Sequence, residues 1–517
     1  MTSPPRETPK NFSDQLIRNS GSSFVVLLGG RFALTLLSVL GVALTTRLLG
    51  VAGFGRWSMY LAVIYLVWTA LTAWNYNALF RYGLEEYQQT RSLQLSFWTR
   101  NSILFPLLLL AIFALVKFED PIQRYIGAPI PWLWILLGSL ALIAKEISGT
   151  LLQACGRLRT FGIVDVAEKL LFVTGIVLVL FFKPDSPLMM VVGISILATA
   201  AVSIGILVSL SKFLGKPKTT RAEIIRHLRF SWPYIFQCLI NTYVLNWVHL
   251  WLLRLWMDEA AVGIFALAYR AMSLTQNITT ALQTLISPVV ISWKTEGQTH
   301  RTAEFVRVLV PQMAFLWMSA LSLAILFSPE ICLLLGGPEF RRAGPPLGLL
   351  LIALLPSFLG SMYFKVLLAE ERSLHIFLVN LGGSLVTIGA SIFLIPRLGV
   401  YGSVAGVLLG FLTIAILSAL AVSKTLPLRF GFPGGMALVP GAAFLAIVSS
   451  SSPQRILLST LTLLLWVLLF KRLRIFAEKD ILRMQQAGVP KIWCERVCRT
   501  FMILRLLPRQ PCKNPEL

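Results

Sequence analysis

Apolar runs of about 20 residues follow one another from near the start of the chain almost to its end, and this succession constrains the fold more than any other feature. A helix of that length crosses the ~30 Å hydrocarbon layer of a bilayer. Only 13% of the 517 residues are charged, whereas soluble globular proteins average about a quarter. The sequence therefore predicts an all-α polytopic membrane protein.

The apolar runs predict 12–14 membrane spans, and 14 is preferred because two short runs follow the twelfth. The loops between them are brief, so no soluble domain is inserted. The predicted spans are 22–47, 56–79, 99–118, 131–155, 160–182, 187–211, 231–256, 260–290, 308–335, 345–369, 373–396, 400–423, 434–451 and 454–471.

The chain has a formal net charge of +23. In a soluble protein this charge would favour nucleic acid, but basic cytoplasmic loops explain it in a membrane protein, so no nucleic-acid partner is expected. Junctions after even-numbered spans carry more Lys and Arg than junctions after odd-numbered spans. The positive-inside rule then predicts that both termini and the even junctions are cytoplasmic.

The most basic internal stretch lies between spans six and seven and divides the chain into two halves of six spans. A repeated half with a site between the copies is usual in secondary transporters. The predicted parts are a cytoplasmic N-terminus 1–21, an N-terminal six-helix bundle 22–211, a basic cytoplasmic linker 212–230, a C-terminal six-helix bundle 231–424, transmembrane helices thirteen and fourteen at 425–471, and a basic amphipathic cytoplasmic tail 472–517. The tail is expected to lie on anionic membrane lipids, with docking of a partner enzyme as the alternative.

One connector sequence recurs at three junctions between spans. TTRLLGVAGFGRW at 45–57 joins spans one and two, LLRLWMDEAAVGIF at 252–265 joins spans seven and eight, and IPRLGVYGSVAGV at 395–407 joins spans eleven and twelve. The first two positions are equivalent in the two halves, so the recurrence favours an architectural role at the outer face, with glycines allowing the turn. Arg47 is kept as a candidate contact at the outer mouth.

Two spans carry a line of polar side chains on one face. The stripe in span one is Arg31, Thr35, Ser38 and Thr45, and the stripe in span eight is Arg270, Ser273, Asn277, Thr280, Thr284 and Ser287. Single polar groups in spans often make hydrogen bonds between helices, and an arginine near a helix end can snorkel to the interface. An arginine aligned with several hydroxyls instead predicts the lining of a wet cavity.

Spans four and five contain charges that cost roughly 2.5–3.5 kcal/mol each on insertion, so each needs a reason. They are Lys145, Glu146, Asp165, Glu168 and Lys169. One interpretation is an intrahelical pair of Asp165 with Lys169, together with pairing of Lys145 and Glu146 to span five. The other is a set of carboxylates that couple transport to protons or cations.

The second half is interpreted as offering cationic and neutral polar groups only, because the apolar segments from span seven through span twelve are expected to contain no Asp or Glu. Such a lining favours an anion such as a pyrophosphate. Cysteine spacing predicts free thiols and no metal site, and no cofactor is expected.

The motifs TTRLLGVAGFGRWSMYL, GGPEFRRAGPPLGLLLIA and LIPRLGVYGSVAGVLLG, with the stretch 228–274, resemble the oligosaccharide flippases of polysaccharide biosynthesis. These are the O-antigen and capsule flippases of the multidrug/oligosaccharidyl-lipid/polysaccharide exporter superfamily. The resemblance covers about residues 15–425. It rests on the order and spacing of the motifs, because no single motif is diagnostic.

The resemblance implies two six-helix bundles around a cationic central cavity, with two further helices. It implies a flippase that moves an undecaprenyl-pyrophosphate-linked oligosaccharide across the bacterial cytoplasmic membrane by alternating access. Arg31 and Arg270 match the arginines that the family directs at its cavity. Carboxylates that hold sodium in spans seven and eleven of some relatives are missing, so ion coupling either falls to Asp165 and Glu168 or is absent.

On this interpretation Arg31 and Arg270 bind the pyrophosphate, and Thr35, Ser38, Asn277 and Thr280 hydrogen-bond the sugar or headgroup. Polysaccharide polymerases or glycosyltransferases of the same pathway are the expected protein partners. A multidrug or organic-cation antiporter of the same superfamily is the alternative. A membrane enzyme is disfavoured, because the chain has neither a long outer loop nor a D-x-D sequence for a metal-bound sugar nucleotide.

Overall fold

The computed structural model describes residues 12–182, 186–217, 219–426 and 438–448, and six residues between 457 and 464. Every regular element in these ranges is helical. Eight helical stretches there are long and apolar enough to cross a membrane. The all-α polytopic prediction is confirmed, while the count of fourteen spans stays a prediction. The tail 472–517 lies outside the described residues.

The first half of the chain forms seven helices. A 3₁₀ turn at Ala73–Asn75 separates the first two. The helices are α1 Phe12–Leu71, α2 Tyr76–Thr90, α3 Gln94–Lys117, α4 Glu119–Ile126, α5 Trp132–Ala154, α6 Leu158–Phe182 and α7 Pro187–Leu214.

The second half forms ten more helices within the described ranges, with π-helical turns at Leu239–Val244 and Phe305–Leu309 and a 3₁₀ turn at Pro338–Ala343. The helices are α8 Arg221–Cys238, α9 Leu245–Trp256, α10 Glu259–Thr295, α11 Thr299–Glu304, α12 Val310–Leu326, α13 Ser328–Gly336, α14 Gly344–Ala369, α15 Ser373–Leu398, α16 Val400–Ser423 and α17 Leu438–Val448.

Helix α1 contains the first two predicted spans, and the first connector is the break between them. Gly50 has φ 65° and ψ −175°, outside the helical region. A residue with a side chain is strained at this positive φ, so glycine lets the chain turn there with little loss of helix on either side. The expected turn in this connector is therefore present.

Two predicted spans differ in extent from the helices. Predicted span two reaches residue 79, but α1 ends at Leu71 and the chain continues through the 3₁₀ turn into α2. Predicted span nine reaches residue 335, but α12 ends at Leu326, because Pro329 follows and cannot donate to an uninterrupted helix.

The break after α12 corrects the interpretation of the second half as free of acids. Glu330 falls inside predicted span nine and lies in the first turn of α13. Carboxylates are stabilised at helix N-termini. The acidic side chain therefore belongs to a helix end rather than to the middle of a membrane span.

Predicted span seven is built from α8, a π-helical turn and α9. Helix α8 packs on α2, α3 and the 3₁₀ turn of the first half. Helix α9 packs on α10, α15 and α16 of the second half, and also touches α1. The π-helical turn Leu239–Val244 thus lies where this span passes from one half to the other.

The connectors of the two halves meet at one end of the bundle, which we call the connector end. An added Cβ at Gly55 would overlap the carbonyl oxygen of Glu259, and one at Gly263 would overlap that of Val51. Gly399 of the third connector packs against the Met257 side chain. Helices α1 and α10 therefore cross here with their backbones in contact.

Candidate binding cavity

A cavity of about 350 Å³ lies between the halves, walled by α1, α5, α6, α7 and α10. Its walls combine aromatic and aliphatic side chains with several polar groups. The polar lining is Ser38, Thr45, Ser58, Tyr65, Glu168, Lys169, Ser195, Thr199, Arg270, Ser273 and Asn277.

Helical spacing brings the polar residues of α10 to the cavity. Arg270, Ser273 and Asn277 follow at intervals of three and four residues and all line it. The Ser273 hydroxyl donates to the Arg270 carbonyl at 2.8 Å, so its oxygen is left to accept a hydrogen bond. Thr280 is not part of the lining: it is exposed and its hydroxyl donates to the Gln276 carbonyl at 3.2 Å.

Helix α1 contributes Ser38 and Thr45 to the opposite wall. Both hydroxyls donate to carbonyls of their own helix at 2.7 Å, which again leaves their oxygens as acceptors. Thr35 lies one turn before Ser38, is half-buried and is not among the lining residues. Arg31 lies in the same helix, but its side chain is outside the described residues.

Arg270 is the cation of the second half in this cavity. Its guanidinium carbon lies 5.1 Å from the ring centroid of Trp247. The Trp247 ring is in turn stacked on Tyr65, with centroids 4.7 Å apart and an interplanar angle of 23°. Among the described residues no carboxylate forms an ion pair with Arg270.

The first half contributes Lys169 and Glu168 from α6. The expected intrahelical pair of Asp165 with Lys169 is wrong, because both acids face Lys145 of α5. Lys145 contacts Glu168 directly and Asp165 at 3.4 Å, whereas Lys169 reaches Glu168 only at 3.9 Å. Thr199 also donates to Glu168, at 3.1 Å. Lys145 therefore pairs with span five as expected, and Lys169 is left facing the cavity.

Glu146 does not pair with span five, and that part of the expectation is also wrong. Its carboxylate forms an ion pair with Arg100 of α3 at 2.8 Å. Trp68 and Thr72 donate to the same carboxylate at 2.8 and 2.7 Å. Glu146 directly follows Lys145, which faces α6. Because adjacent residues on a helix point about 100° apart, Glu146 faces away from α6. The pair is outside the cavity lining.

Sequence reasoning missed Arg100, which is only 1% exposed. The available signal was its position just inside predicted span three, where a burial cost would demand a partner. Sequence reasoning also missed Trp247 and Tyr65. A lone tryptophan or tyrosine in an apolar run gives no indication that it will face a cation.

Arg47 lies at the connector end and not at the cavity. Its Nη2 donates to the Leu334 carbonyl at 2.9 Å, and the neighbouring Thr46 hydroxyl donates to Leu335 at 2.8 Å. At the same end, Arg254 of the second connector donates to the Tyr125 carbonyl of the first half at 3.0 Å and pairs with Glu259. The hydrogen bonds of Arg47, Thr46 and Arg254 to backbone carbonyls connect the two halves at this end.

No group of three or more His, Cys, Asp or Glu within the described ranges is arranged to hold a metal ion. Cys155, Cys238 and Cys332 are free thiols. Cys494, Cys498 and Cys512 lie outside the described residues.

Solved structures of transport proteins share this fold. The lipid II flippase MurJ in an inward closed conformation matches with a TM-score of 0.67 and 13% identity over 87% of this chain and 100% of that chain. An inward-facing MATE multidrug resistance transporter of the MOP superfamily matches with a TM-score of 0.60 and 15% identity, over 76% of this chain and 96% of that chain. Both share the all-α polytopic fold with this chain.

Sequence comparison gives the same grouping. The chain is 21% identical over 417 residues to the probable low-salt glycan biosynthesis flippase Agl15 of Haloferax volcanii, with 77% of this chain and 82% of that protein covered. Residues 20–292, more than half of the chain, match the family described as polysaccharide biosynthesis protein. With these motifs, this fold and a cationic cavity between two halves, the chain belongs to the polysaccharide biosynthesis protein family.

Proposed function

We propose that the protein is a flippase that moves a lipid-pyrophosphate-linked oligosaccharide across the bacterial cytoplasmic membrane by alternating access. The observation that carries the proposal is Arg270, a cation that lines an intramembrane cavity with no carboxylate partner among the described residues. A charge at membrane depth is costly and is retained where it serves a function. An anionic cargo would supply the missing counter-charge.

The residues divide into an anion-binding group and a sugar-binding group. Arg270 binds the pyrophosphate together with Arg31, and Lys169 adds a second cation from the first half. The oxygens of Ser38 and Asn277 hydrogen-bond sugar or headgroup hydroxyls, and Thr35 and Thr280 take the same role further along the two helices.

The ion-paired groups are the candidates for coupling. Lys145 forms ion pairs with both Asp165 and Glu168 in this conformation. Protonation of either acid would leave Lys145 paired with the other acid alone and would make the charge beside the cavity more positive. Glu146, with three donors on its carboxylate, is the less suitable of the three acids.

The relatives support this cargo class. The matching archaeal protein is named as a glycan biosynthesis flippase, and the MurJ structure is that of a lipid II flippase. Undecaprenyl pyrophosphate as the carrier, a role in O-antigen or capsule synthesis, and pathway enzymes or anionic lipids as partners are proposed on the motif resemblance alone.

A multidrug antiporter is the second candidate, and its support is the likeness to a MATE fold. Organic cations bind by stacking on exposed aromatic faces. The Trp247 ring, which is not part of the cavity lining, already carries the Arg270 guanidinium. Lys169 and Arg270 would moreover repel a cationic drug, so we favour the anionic cargo.

The test is a flipping assay in proteoliposomes with fluorescently labelled undecaprenyl pyrophosphate and an impermeant quencher. We expect Arg270→Ala to lower the rate at least about tenfold, the effect of losing one charged contact of 1.5–3 kcal/mol. Arg270→Lys keeps the charge and should retain part of the rate. Arg342→Ala, at an exposed position away from the cavity, is the control. An Arg270→Ala rate equal to the control would refute the site.

A further inference from the structure

Arg270 is supported by an aromatic stack that belongs to both halves of the protein. Trp247 of α9 lies under its guanidinium, with 5.1 Å between the guanidinium carbon and the ring centroid. Trp247 is only 8% exposed. Its ring is stacked on Tyr65 of α1. The cation is therefore held against a buried ring whose own position is set by the first half.

The neighbouring residue fixes the register of the two helices that carry the tryptophan and the arginine. Tyr269 precedes Arg270, and its hydroxyl donates to the Leu245 carbonyl of α9 at 3.0 Å. The Tyr269 ring also packs on His249, with centroids 4.7 Å apart. These contacts flank Trp247 on α9 and so keep it level with Arg270.

An aromatic ring and a carboxylate support an arginine in different ways. A carboxylate cancels the positive charge and would compete with an anionic ligand for the same donors. The ring quadrupole attracts the cation but leaves its net charge unchanged, and the attraction grows as water is removed. Arg100, which does not line the cavity described above, has the carboxylate Glu146. Arg270, which faces the cavity, has the ring.

We propose that Trp247 is a positioning residue that holds the Arg270 guanidinium at the cavity wall, charged and unneutralised, ready for the pyrophosphate of the cargo. This inference rests on the proposed function, because it assumes that Arg270 binds an anion. It assigns to Trp247 a role in affinity beyond packing.

The test replaces Trp247 with mono-, di-, tri- and tetrafluorotryptophan by amber suppression. Fluorine withdraws electrons from the ring face and weakens its attraction for a cation, while the shape of the ring hardly changes. The dissociation constant for farnesyl pyrophosphate is measured on purified protein in nanodiscs. We expect it to rise stepwise along the series, by about 30-fold in all, equal to about 2 kcal/mol.

Trp251 is the matched control on the same helix. It is stacked on Tyr125 with centroids 4.6 Å apart and an interplanar angle of 24°. No Lys or Arg in the described part of the chain lies over its ring. The same fluorinated series at Trp251 should leave affinity unchanged, as should fluorination of Trp247 in an Arg270→Ala background.

The outcomes separate this inference from the function on which it rests. A flat series at Trp247, or equal losses at Trp247 and Trp251, overturns the positioning role. If Arg270→Ala loses farnesyl pyrophosphate binding while the Trp247 series is flat, the anion site stands and only the positioning role fails. If Arg270→Ala binds as well as the unaltered protein, or the unaltered protein does not bind, the anion site itself fails and the positioning role with it.

Discussion

Two arginines inside the helical bundle differ in the group that stabilises each of them. Arg100 has Glu146 as counter-ion, and the side chains of the pair are 2% and 7% exposed. Trp68 and Thr72 satisfy the other carboxylate oxygen. This cluster is balanced in charge and lies outside the cavity lining, which suits a structural role. Arg270 has neither property, which suits a role in binding.

The Arg100–Glu146 ion pair gives a prediction at the residue scale. Glu146→Gln removes the negative charge and leaves the Arg100 cation buried without compensation, which costs about 3–5 kcal/mol. We expect a lower midpoint of thermal unfolding in detergent. The unfolding is measured by the change in intrinsic fluorescence or light scattering with temperature. The control is Glu223→Gln, whose ion pair with Arg226 at 3.7 Å is partly exposed, and which should change stability by no more than about 0.5 kcal/mol. Equal midpoints for the two variants would contradict the structural role.

At the scale of elements, the crossing of α1 and α10 determines whether the connector end is closed. Gly55 and Gly263 come from equivalent connectors of the two halves, and each faces a backbone carbonyl of the other helix. A backbone group has no alternative rotamer, so a clash with it cannot be relieved by side-chain movement. The recurrence of glycine in the connectors thus reflects close approach as well as the turn at Gly50.

A bulky residue at the crossing should therefore favour opening at this end. Gly55→Val overpacks the contact by about 1–3 kcal/mol, which shifts the balance of closed and open forms about 5- to 150-fold. The measurement is labelling of Ser273→Cys, in a cysteine-free background, by an impermeant maleimide added outside intact cells. We expect faster labelling in Gly55→Val.

Gly53→Val is the matched control for this experiment. It lies two residues away on the same helix, and the nearest neighbour of an added Cβ is the Leu49 Cβ of its own helix, at 3.1 Å, rather than a backbone group of the other half. Both variants carry the same change in helix propensity, so only the backbone contact distinguishes them. Labelling at the same rate in the two variants would show that the crossing does not control access.

Sequence reasoning succeeded at this scale where the signal is local. The spacing of Arg270, Ser273 and Asn277 determines one face of a helix, and all three line the cavity. It failed for contacts between helices distant in the chain. The pairing of Lys145 with Glu168 and the stacking of Trp247 on Tyr65 depend on how helices pack, which periodicity within one helix does not determine.

For the whole molecule, reciprocal contacts join the two halves at the connector end. Thr46 of the first connector binds the Leu335 carbonyl of the second half, and Arg254 of the second connector binds the Tyr125 carbonyl of the first half. Release of cargo towards this end requires both sets to separate. In an alternating-access cycle, these are the contacts that the opposite conformation must lose.

The distribution of Lys and Arg predicts which side of the membrane the connector end faces. If it faces outwards, alkaline phosphatase fused after Gly337 should be active, because Leu334 and Leu335 lie at that end. Green fluorescent protein fused after Gly297, in the turn that follows α10, should be fluorescent. The controls exchange the two reporters: green fluorescent protein fused after Gly337 should not fluoresce, and alkaline phosphatase fused after Gly297 should be inactive. Activity of the converse pair would reverse the proposed orientation.

Helix α8 has a consequence for how the two halves can move. Its residues 221–230 belong to the predicted linker and the rest to predicted span seven, yet it packs on α2 and α3, with Arg226 bound to Glu85 at 3.2 Å. The sequence therefore places the boundary between the halves before span seven, whereas the packing of the helices places it within that span. A rigid-body rotation of one half against the other would bend span seven at Leu239–Val244, while α8 moves with the first half.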